Sequence, residues 1–414
     1  MAHFLMLESW VGASGNLLPP LLKSLGHTYM FVTRKPAHYQ NPLSSEKHMV
    51  FRQADEVLVT ETNDVDTLIK VLEPYRFDAV ITVCDYYIEI ARRVADALNI
   101  PCPFPQNVKT AREKHLMRMA LDKAGLSNPK YRITSGWQDT KDAAEEIGYP
   151  VVIKPVDLAS SAFVRLAKNC EDLKEAYDHL ENFPLNFREQ KREHLFLVEE
   201  FMTGEEVSVE SVSYKGNTEI IGVTDKSVTG LPYFIEDGHM FPAKLETQKE
   251  EELKLYVKNV LDAVGYDNGV AHTEVKLTRN GPRIVEINPR TAGNYIVELI
   301  ERVKGINVLR AYTELALGQK PDLNIKDTGV ESAAIKFLVP QHGGRIAGIE
   351  GVKLLENNAH ISRCRFEDCA GKTIDDPIDN ACYLGHIVTE DTEGRNARDF
   401  AEEAMKNIKL IFSV

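Results

Sequence analysis

The sequence has no apolar run of the roughly 20 residues that cross a bilayer, so it predicts no membrane-spanning helix and no membrane partner. The sequence also lacks an excess of positive charge: 62 acidic residues outnumber 49 Lys and Arg, and the net charge of −13 at pH 7 argues against general binding to nucleic acids. The six cysteines show no CxxC pair and no His/Cys metal spacing, a pattern typical of free thiols in a reducing compartment. The first residues contain no basic segment of a signal peptide, so we expect a cytoplasmic protein.

What the sequence does contain at its start is an alternation of strand and helix patterns. Predicted strands cover 3–7, 28–33, 56–60 and 78–83, and predicted helices cover 17–26, 64–75 and 88–99. This alternation predicts an α/β domain with a parallel sheet. The turn Gly12–Gly15 is compatible with an anion at a helix N-terminus or with an ordinary tight turn, and it lacks the full dinucleotide fingerprint.

The length predicts about two to four domains. Prolines at 101, 103 and 105 interrupt the first pattern, so we place an N-terminal domain at 1–107. Residues 108–200 read as a small α+β unit, with helices at 108–125, 140–147 and 171–182 and strands at 149–157 and 194–202. In the last unit, 201–414, the pattern up to residue 300 is mostly strands, and a subdomain from about 331 ends in strands and a helix.

Two segments of the last unit, 271–277 and 283–290, are rich in Val, Ile and Leu and read as strands. The turn signal Arg279-Asn280-Gly281 lies between them, which predicts a β-hairpin. If three residues form the loop, Thr278 pairs with Pro282, and this pairing fixes every other partner across the hairpin.

That register sets Glu274 opposite Glu286 and His272 opposite Asn288. Two carboxylates that face each other across a ladder repel, and a divalent cation between them would remove the conflict. Carboxylates with an amide oxygen suit Mg²⁺, so Glu274, Glu286 and Asn288 predict half of a metal–nucleotide site. The alternative is a solvated sheet face on which the two glutamates diverge.

Lys154 lies in the apolar strand pattern VVIKP, where a buried lysine is rare without a partner. It either extends to solvent from an edge strand or faces a phosphate. The small residues of 157–162, which include Ser160 and Ser161, follow directly and offer N–H and hydroxyl groups suited to phosphate oxygens. The segment contains no glycine, so it is weak evidence for a phosphate loop on its own.

Three further features have both a functional and an ordinary interpretation. The segment 198–210 reads as a strand, a turn and a second strand that carries Glu206, which suits adenine and ribose recognition or an ordinary charged surface turn. His239 lies between two breaks and reads as a loop residue. Lys114 and Arg118 lie four residues apart on one predicted helix, which is typical of a solvated basic face.

Together these segments resemble the ATP-grasp superfamily of carboxylate–amine ligases. The shared order is a helix with Lys114, VIKP, the small-residue loop, VEEFMTGEE, HTEVKL and VEINPR, and it covers about residues 108–300. The segments EINPR-TAGN, GHMFPA and YLGHIVTED look most like the L-amino-acid ligases, a group that includes bacilysin synthetase-type dipeptide ligases and dapdiamide synthetase. The resemblance implies a mixed α/β and α+β chain: an ATP-grasp fold preceded by a Rossmann-like, pre-ATP-grasp domain.

The resemblance also implies roles for individual residues. ATP phosphates would be held by Lys114, Lys154, Ser160 and Ser161. Adenine would be read by the backbones of Glu199 and Met202, and ribose by Glu206. Two Mg²⁺ ions, or Mn²⁺ in their place, would be bound by Glu274, Glu286 and Asn288. Catalysis would involve Arg290 and His239, and the substrates would be contacted by His239, His272, Arg290, Gly293 and Asn294.

The activity implied by the resemblance is an ATP-dependent ligase that joins an amino-acid-type carboxylate to an L-amino acid through an acyl phosphate. One alternative is a carboxyphosphate-forming enzyme like biotin carboxylase, but the sequence has no biotin-carrier segment. Another is a nucleotide-binding regulatory module without catalysis. Both substrates would be small molecules, and the resemblance suggests a homodimer.

Overall fold

The computed structural model of the chain describes residues 1–40 and 46–413. Its first hundred or so residues form a parallel sheet in the order β3-β2-β1-β4, as the alternating pattern predicts. The strands are β1 (His3–Leu7), β2 (Thr28–Thr33), β3 (Glu56–Val59) and β4 (Ala79–Ile81). The helices are α1 (Ala13–Ser24), α2 (Met49–Arg52), α3 (Val65–Leu72) and α4 (Ile88–Leu98), with short 3₁₀ turns at Pro36–Tyr39 and Asp85–Tyr87.

Helix α1 begins at Ala13, four residues before the predicted start at 17. The Gly12–Gly15 segment is therefore the N-cap and first turn of the helix rather than a separate turn. Gly15 is required by a close approach, because a Cβ there would lie 1.8 Å from the carbonyl oxygen of Trp10. The turn thus brings the first helix directly against the end of β1.

The predicted helix 108–125 is divided into α5 (Val108–Arg112) and α6 (Lys114–Lys123). Glu113 has an extended backbone at the junction, with φ −82° and ψ 117°. The reason is tertiary, because the N–H of Lys114 donates to the carbonyl of Val156, 3.3 Å away, instead of to the preceding helical turn. The break aims the start of α6 at the strand that carries Lys154.

The next unit is a four-stranded antiparallel sheet in the order β5-β8-β6-β7. Its elements are β5 (Tyr131–Thr134), α7 (Trp137–Ile147), β6 (Val151–Pro155), β7 (Arg165–Ala167), α8 (Cys170–Glu181) and β8 (Phe196–Glu200). Since β6 lies between β8 and β7, Lys154 is on an inner strand. The alternative in which this lysine extends to solvent from an edge strand is wrong.

The remaining residues build an eight-stranded sheet in the order β13-β12-β9-β10-β11-β14-β18-β16 and a three-stranded sheet in the order β17-β15-β19. The strands are β9 (Glu205–Tyr214), β10 (Asn217–Thr229), β11 (Ile235–Phe241), β12 (Gly269–Thr278), β13 (Gly281–Asn288), β14 (Ser332–Phe337), β15 (Gly344–Glu350), β16 (Ile361–Phe366), β17 (Thr373–Ile374), β18 (Gly385–Asp391) and β19 (Lys409–Phe412). The helices are α9 (Thr247–Ala263), α10 (Ile296–Lys304), α11 (Val308–Ala316) and α12 (Ala397–Met405), with 3₁₀ turns at Val352–Leu355 and Asn380–Cys382.

Two expectations for this part of the chain are corrected. The region 204–300 is less uniformly stranded than its pattern suggests, because α9 covers 17 of its residues. The β12–β13 hairpin has a two-residue loop, with Thr278 paired to Gly281 rather than to Pro282. A β-bulge between Glu274 and Val275 restores the predicted pairing beyond it, so Glu274 does face Glu286, and His272 faces Asn288.

The parallel-sheet domain packs against α11 through β4 and α1, and the buried residues of the sheet, α10 and α11 belong to one hydrophobic core. Tyr312 of α11 donates to the carbonyl of Thr82 at 2.6 Å, and the Ser14 and Thr291 hydroxyls lie 3.0 Å apart. These contacts hold the first domain at one end of the hairpin. None of the helices in the described ranges is both long and apolar enough to cross a membrane.

Candidate active site

A cleft of about 830 Å³ lies between the four-stranded and the eight-stranded sheets. Most of the predicted nucleotide and metal residues line it: Lys114, Lys154, Ser161, Glu199, Met202, Glu206, Glu274 and Glu286. A second cavity of about 1520 Å³ continues toward the parallel-sheet domain and shares Glu274 and Glu286 with the first. Its lining includes Ser160, Ser161, His272, Arg290, Gly293 and Asn294. The structure therefore brings residues from all three sequence regions to one continuous space.

One wall of the cleft holds a carboxylate between two cations. The Arg118 Nε donates to Glu199 Oε1 at 2.7 Å, and the Lys154 Nζ lies 2.6 Å from Glu199 Oε2. All three side chains are buried. Arg118 thus supports the wall from behind without lining the cleft itself, and the interpretation of Lys114 and Arg118 as a solvated basic face is wrong because both are buried.

We call Arg118, Lys154 and Glu199 the cationic cluster. The charges in this cluster shift the pKa values of Glu199 and Lys154. Burial alone would raise the pKa of Glu199, but the two cations outweigh it and hold that pKa at about 2. Burial lowers the pKa of Lys154, and the repulsion from Arg118 adds to this effect despite the attraction of Glu199. A further anion at Lys154 would therefore stabilise its charged form.

Glu199 contributes to the cleft through its side chain rather than its backbone. It lies within β8, between Tyr131 of β5 and Val152 of β6, so its main chain is part of the sheet on both sides. Met202 lies two residues beyond the end of β8 and lines the cleft. Of the two residues expected to read adenine by their backbones, Met202 is the better placed.

The opposite wall, on the eight-stranded sheet, holds a lysine among carboxylates. The Lys226 Nζ lies 2.9 Å from Glu206, 3.1 Å from Glu236 and 2.8 Å from Glu274. The Lys226 side chain is 1% exposed. The three carboxylates outweigh burial and raise the pKa of Lys226 well above its ordinary value. We call Lys226 with these three glutamates the anionic cluster.

Glu286 links the two walls. Its Oε2 lies 2.8 Å from the Lys114 Nζ, and its Oε1 accepts from the Asn288 amide at 3.0 Å. Lys114 also donates to the carbonyl of Leu158 at 3.0 Å, at the start of the small-residue loop. Burial by itself would raise the pKa of Glu286, but Lys114 and Asn288 lower it, so the carboxylate is ionised.

The carboxylates of the hairpin fit a divalent cation. Glu274 and Glu286 each already contact an ammonium group, from Lys226 and Lys114 respectively, so both carboxylates face positive charge. Asn288 uses its amide nitrogen to donate to Glu286, which leaves its oxygen as an acceptor. Two carboxylates and an amide oxygen are ligands that Mg²⁺ prefers. Asn288 itself stands behind Glu286 rather than in the lining of either cavity.

His272 lies between two carboxylates. Its Nδ1 is 2.8 Å from Glu210 and its Nε2 is 3.3 Å from Glu274. Burial lowers the pKa of His272, but the two glutamates more than compensate and raise it to about 10. The imidazole is therefore a cation at neutral pH, and it orients Glu274 from the side opposite to Lys226.

Arg290 reaches the parallel-sheet domain. Its Nε lies 2.8 Å from both carboxylate oxygens of Asp85, which also accepts from the Trp10 indole at 2.6 Å. Burial opposes ionisation of Arg290, but Asp85 raises its pKa above the ordinary value. The Nη1 of Arg290 also donates to the carbonyl of Thr291 at 3.0 Å, and the side chain lines the second cavity beside Glu274 and Glu286.

His239 is buried in β11, so its interpretation as a loop residue is wrong. Its Nε2 lies 3.3 Å from Glu236 Oε2 and 3.3 Å from the Asn294 amide. Asn294 in turn donates to Glu236 at 2.7 Å, and the Tyr383 hydroxyl donates to the Glu236 carbonyl at 2.7 Å. His239 thus supports Asn294 and Glu236, which line the second cavity, and does not line it itself.

The loop after β6 has a strained backbone even though it lacks glycine. Ser160, Ser161 and Phe163 have φ values of 60°, 57° and 60°. Such left-handed conformations are uncommon for residues other than glycine and store strain. Ser161 lines both cavities, so this loop covers their junction. A strained segment above a cleft has a physical reason to move when a ligand arrives.

Sequence reasoning missed Lys226, Glu236 and Asp85. Lys226 lies in a polar stretch of β10, beside Asp225 and Ser227, so it lacks the apolar surroundings that identified Lys154 and no local signal predicts its burial. Asp85 follows a predicted parallel strand, where α/β proteins commonly place ligand contacts. Glu236 has no comparable signal, because its relation to Lys226 depends on the β10–β11 pairing.

Two models of known protein families match parts of the chain. The family model of the ATP-grasp domain matches residues 147–298, and that of the L-amino acid ligase C-terminal domain 2 matches residues 336–413. Dapdiamide A synthase from Enterobacter agglomerans is 26% identical over 86% of this chain and 84% of its own length. Alanine–anticapsin ligase from Bacillus subtilis (strain 168) is 28% identical over 68% of this chain, and the match spans 63% of that protein.

A solved structure has the same fold over the whole chain. The L-amino acid ligase from Bacillus licheniformis superposes with a TM-score of 0.81 at 20% identity, covering 100% of this chain and 99% of that chain. At this identity the likeness establishes the fold, including the parallel-sheet domain that precedes the ATP-grasp region. With both family matches in the same chain, the protein belongs to the ATP-grasp ligases, which use ATP and Mg²⁺, and carries the C-terminal domain of L-amino acid ligases.

Proposed function

We propose that the protein joins the carboxylate of an amino-acid-type substrate to the amino group of an L-amino acid, releasing ADP and phosphate. The observation that carries this proposal is the pairing of a cationic and an anionic cluster across one cleft. Such a space suits a nucleotide with its metal ions, and the second cavity beside Arg290 suits two small substrates. The names of the two relatives, a ligase and a synthase, support the same class of reaction.

The nucleotide has a defined place in this proposal. Phosphates contact Lys114, Lys154, Ser160 and Ser161. Adenine lies near Met202 and Glu199, and ribose hydroxyls donate to Glu206. Glu274, Glu286 and Asn288 would hold two Mg²⁺ ions, or Mn²⁺ in their place. When bound, such ions supply neutralisation of the phosphate charge.

The chemistry divides amide formation into two steps. A carboxylate resists attack by an amine because its leaving group would be oxide, so the substrate carboxylate oxygen first attacks the γ-phosphorus and ADP leaves. The resulting acyl phosphate is attacked by the neutral amine, a proton is lost from nitrogen, and phosphate leaves from the tetrahedral intermediate. Lys114 and Lys154 stabilise the charge on the transferred group, and the 157–162 loop excludes water that would hydrolyse the acyl phosphate.

Arg290 acts on the second step. Its Nε is fixed by Asp85 and its Nη1 by the Thr291 carbonyl, so the guanidinium lines the cavity from a set position. A planar cation in that place stabilises the oxyanion of the tetrahedral intermediate. His272, Gly293 and Asn294 contact the amino-acid substrates, and His239 positions Asn294 from behind.

The alternative of a carboxyphosphate-forming enzyme is less well supported. The match of residues 336–413 is to the C-terminal domain of L-amino acid ligases. A regulatory module that only binds the nucleotide would not need Arg290, which Asp85 holds in the second cavity beside the cleft. Both observations favour the ligase.

Expectations about the domain bounds, the cellular location and the oligomeric state complete the proposal. The domains are 1–107, 108–200 and 201–414, with a subdomain from about 331. The protein is cytoplasmic, which its six free cysteines support.

It forms a homodimer through the parallel-sheet domain, where edge strand β3 exposes Val57 (42%) and Val59 (56%). Light scattering of the wild type and of a Val59→Lys variant tests the dimer, and a wild-type monomer would contradict it.

The test of the activity is a screen of amino-acid pairs for ADP and phosphate release. We expect at least one pair to give release that requires both members, with the amide found by mass spectrometry. Release with bicarbonate alone would favour the carboxyphosphate alternative. Binding of ATP without release from any pair, over all proteinogenic amino acids, would favour the regulatory module.

A further inference from the structure

A cluster of titratable side chains lies outside the cleft, at the junction between α5 and α6. Glu113 and His115 flank Lys114 there, and Glu193 approaches from the segment before β8. One ligand atom of each of the three lies within 4.8 Å of the others. Glu113 and His115 are 5% and 7% exposed, whereas the Glu193 side chain is 43% exposed. The cluster is thus buried on one side and open to solvent on the other.

Glu113 is poorly compensated in this position. Its Oε2 is buried and accepts no hydrogen bond, and it faces the His115 Nε2 at 3.6 Å, which is too long for one. Its other oxygen lies 3.3 Å from the Nζ of Lys109, a side chain that is 53% exposed. Burial and the charges of Glu89 and Glu193 raise the pKa of Glu113 to about 7. A buried, unpartnered carboxylate oxygen aimed at an imidazole nitrogen is an arrangement that a cation would complete.

We propose that Glu113, His115 and Glu193 bind one divalent transition-metal ion of the zinc class. An imidazole with two carboxylates is a set typical of Zn²⁺, with water at the remaining position on the open side. Lys109 lies between Glu113 and Glu193, 3.3 and 3.5 Å from them, and holds the carboxylates together in the metal-free protein.

This site is separate from the cleft but mechanically joined to it. Lys114, between two of the ligands, contacts Glu286 and the carbonyl of Leu158. The Glu193 N–H donates to Asp157 Oδ2 at 2.8 Å, and Asp157 begins the small-residue loop. An ion bound here would therefore restrain both the phosphate-contacting lysine and the base of the loop.

The experiment measures ⁶⁵Zn²⁺ binding to the full chain by equilibrium dialysis, with Mg²⁺ in excess so that sites formed only by oxygen ligands are occupied. We expect the wild type to bind one Zn²⁺ per chain and Zn²⁺ to raise its melting temperature. Glu113→Gln and His115→Ala should weaken binding by at least roughly 10-fold. His179→Ala, which removes an exposed histidine from α8, is the matched control and should bind as the wild type does.

Lys109→Met gives a change in the opposite direction. Removing the ammonium that competes for the two carboxylates should tighten Zn²⁺ binding, an outcome that a damaged fold would not produce. Zn²⁺ binding that is absent from the wild type, or equal in the wild type, Glu113→Gln and His115→Ala, would overturn the proposal. The assay contains neither ATP nor amino acids, so its failure would leave the proposed ligase activity unaffected.

Discussion

The two walls of the cleft use the same ingredients in opposite proportions. On the four-stranded side, one carboxylate, Glu199, lies between Arg118 and Lys154. On the eight-stranded side, the Lys226 ammonium lies among three carboxylates, and Lys276, His272 and Glu210 extend this network, in which four carboxylates meet three cations. Both clusters are buried, so neither imbalance is relieved by solvent. One wall therefore has an excess of positive charge and the other an excess of negative charge.

The difference indicates what the cleft is for. Buried ion pairs are weak contributors to stability, because the cost of desolvation offsets their attraction. A buried cluster with an excess of one charge stabilises the folded protein even less than a buried ion pair does. The presence of two such clusters therefore needs an explanation other than stability. A ligand that brings phosphates to the positive wall and metal ions to the negative wall balances both at once. A magnesium nucleotide has this distribution of charge.

The largest expected effect comes from removing a carboxylate on the negative wall. We expect Glu286→Gln to lower ligation by at least about 10²- to 10³-fold, comparable to the loss of a group that stabilises transition-state charge. The protein should stay folded but be less stable, since the change removes the charged partner of Lys114 and leaves an amide that can still accept from Asn288. Glu219→Gln, on an exposed position of β10, is the matched control. Near-normal turnover of Glu286→Gln at ordinary Mg²⁺ would rule out the metal assignment.

The next effect separates Arg290 from the nucleotide. Arg290→Lys keeps the charge but loses the planar fork that Asp85 holds, so the rate should fall by roughly 10²- to 10³-fold while ATP affinity changes little. Turnover and nucleotide affinity are measured on the same variant. A large loss of ATP binding with intact chemistry would move Arg290 into the nucleotide site.

A stability effect is expected from the positive wall. Glu199 has a folded-state pKa of about 2, below its ordinary 4.5, so its contribution is present above pH 4.5 and is lost as the pH falls toward 2. Glu199→Gln should reduce the free energy of unfolding at pH 7 by on the order of 3 kcal/mol. The free energy of unfolding of the variant should also change less than that of the wild type as the pH falls below 4.5. Urea unfolding at pH 7 and pH 3 measures both. A variant as stable as the wild type at pH 7 would show that the cluster is not held by Glu199.

The smallest effect concerns the loop that covers the two walls. ATP with Mg²⁺ should protect the segment 155–170 from limited proteolysis, because its strained residues gain phosphate contacts on closure. Cleavage is followed by mass spectrometry with and without nucleotide. Equal cleavage rates at this segment would count against a lid.

Much of the fold was predictable from local pattern. The parallel sheet follows from strands and helices that alternate within short distances along the chain. The Glu274–Glu286 pairing was predicted correctly although the assumed loop was one residue too long, because the bulge compensates for it. Lys114, Lys154 and the hairpin glutamates all reach the same cleft.

What could not be predicted depends on contacts between distant segments. Glu206 and Glu274 meet Lys226 because β9, β10 and β12 come together in the eight-stranded sheet, an order that no local pattern encodes. The salt bridge between Arg290 and Asp85 likewise requires the packing of two domains. Arg118 looks like a surface residue in the helix pattern, and only the position of Glu199 explains its burial.

The most direct test of the two-wall account is calorimetric titration of ADP with and without Mg²⁺, in the wild type and in Glu286→Gln. The account predicts that Mg²⁺ tightens ADP binding to the wild type by at least about 10-fold, a typical coupling between linked sites. In Glu286→Gln, ADP should still bind through Lys154 and the positive wall, but the gain from Mg²⁺ should be largely lost. An equal gain from Mg²⁺ in both proteins would contradict the claim that the negative wall binds the metal of the nucleotide.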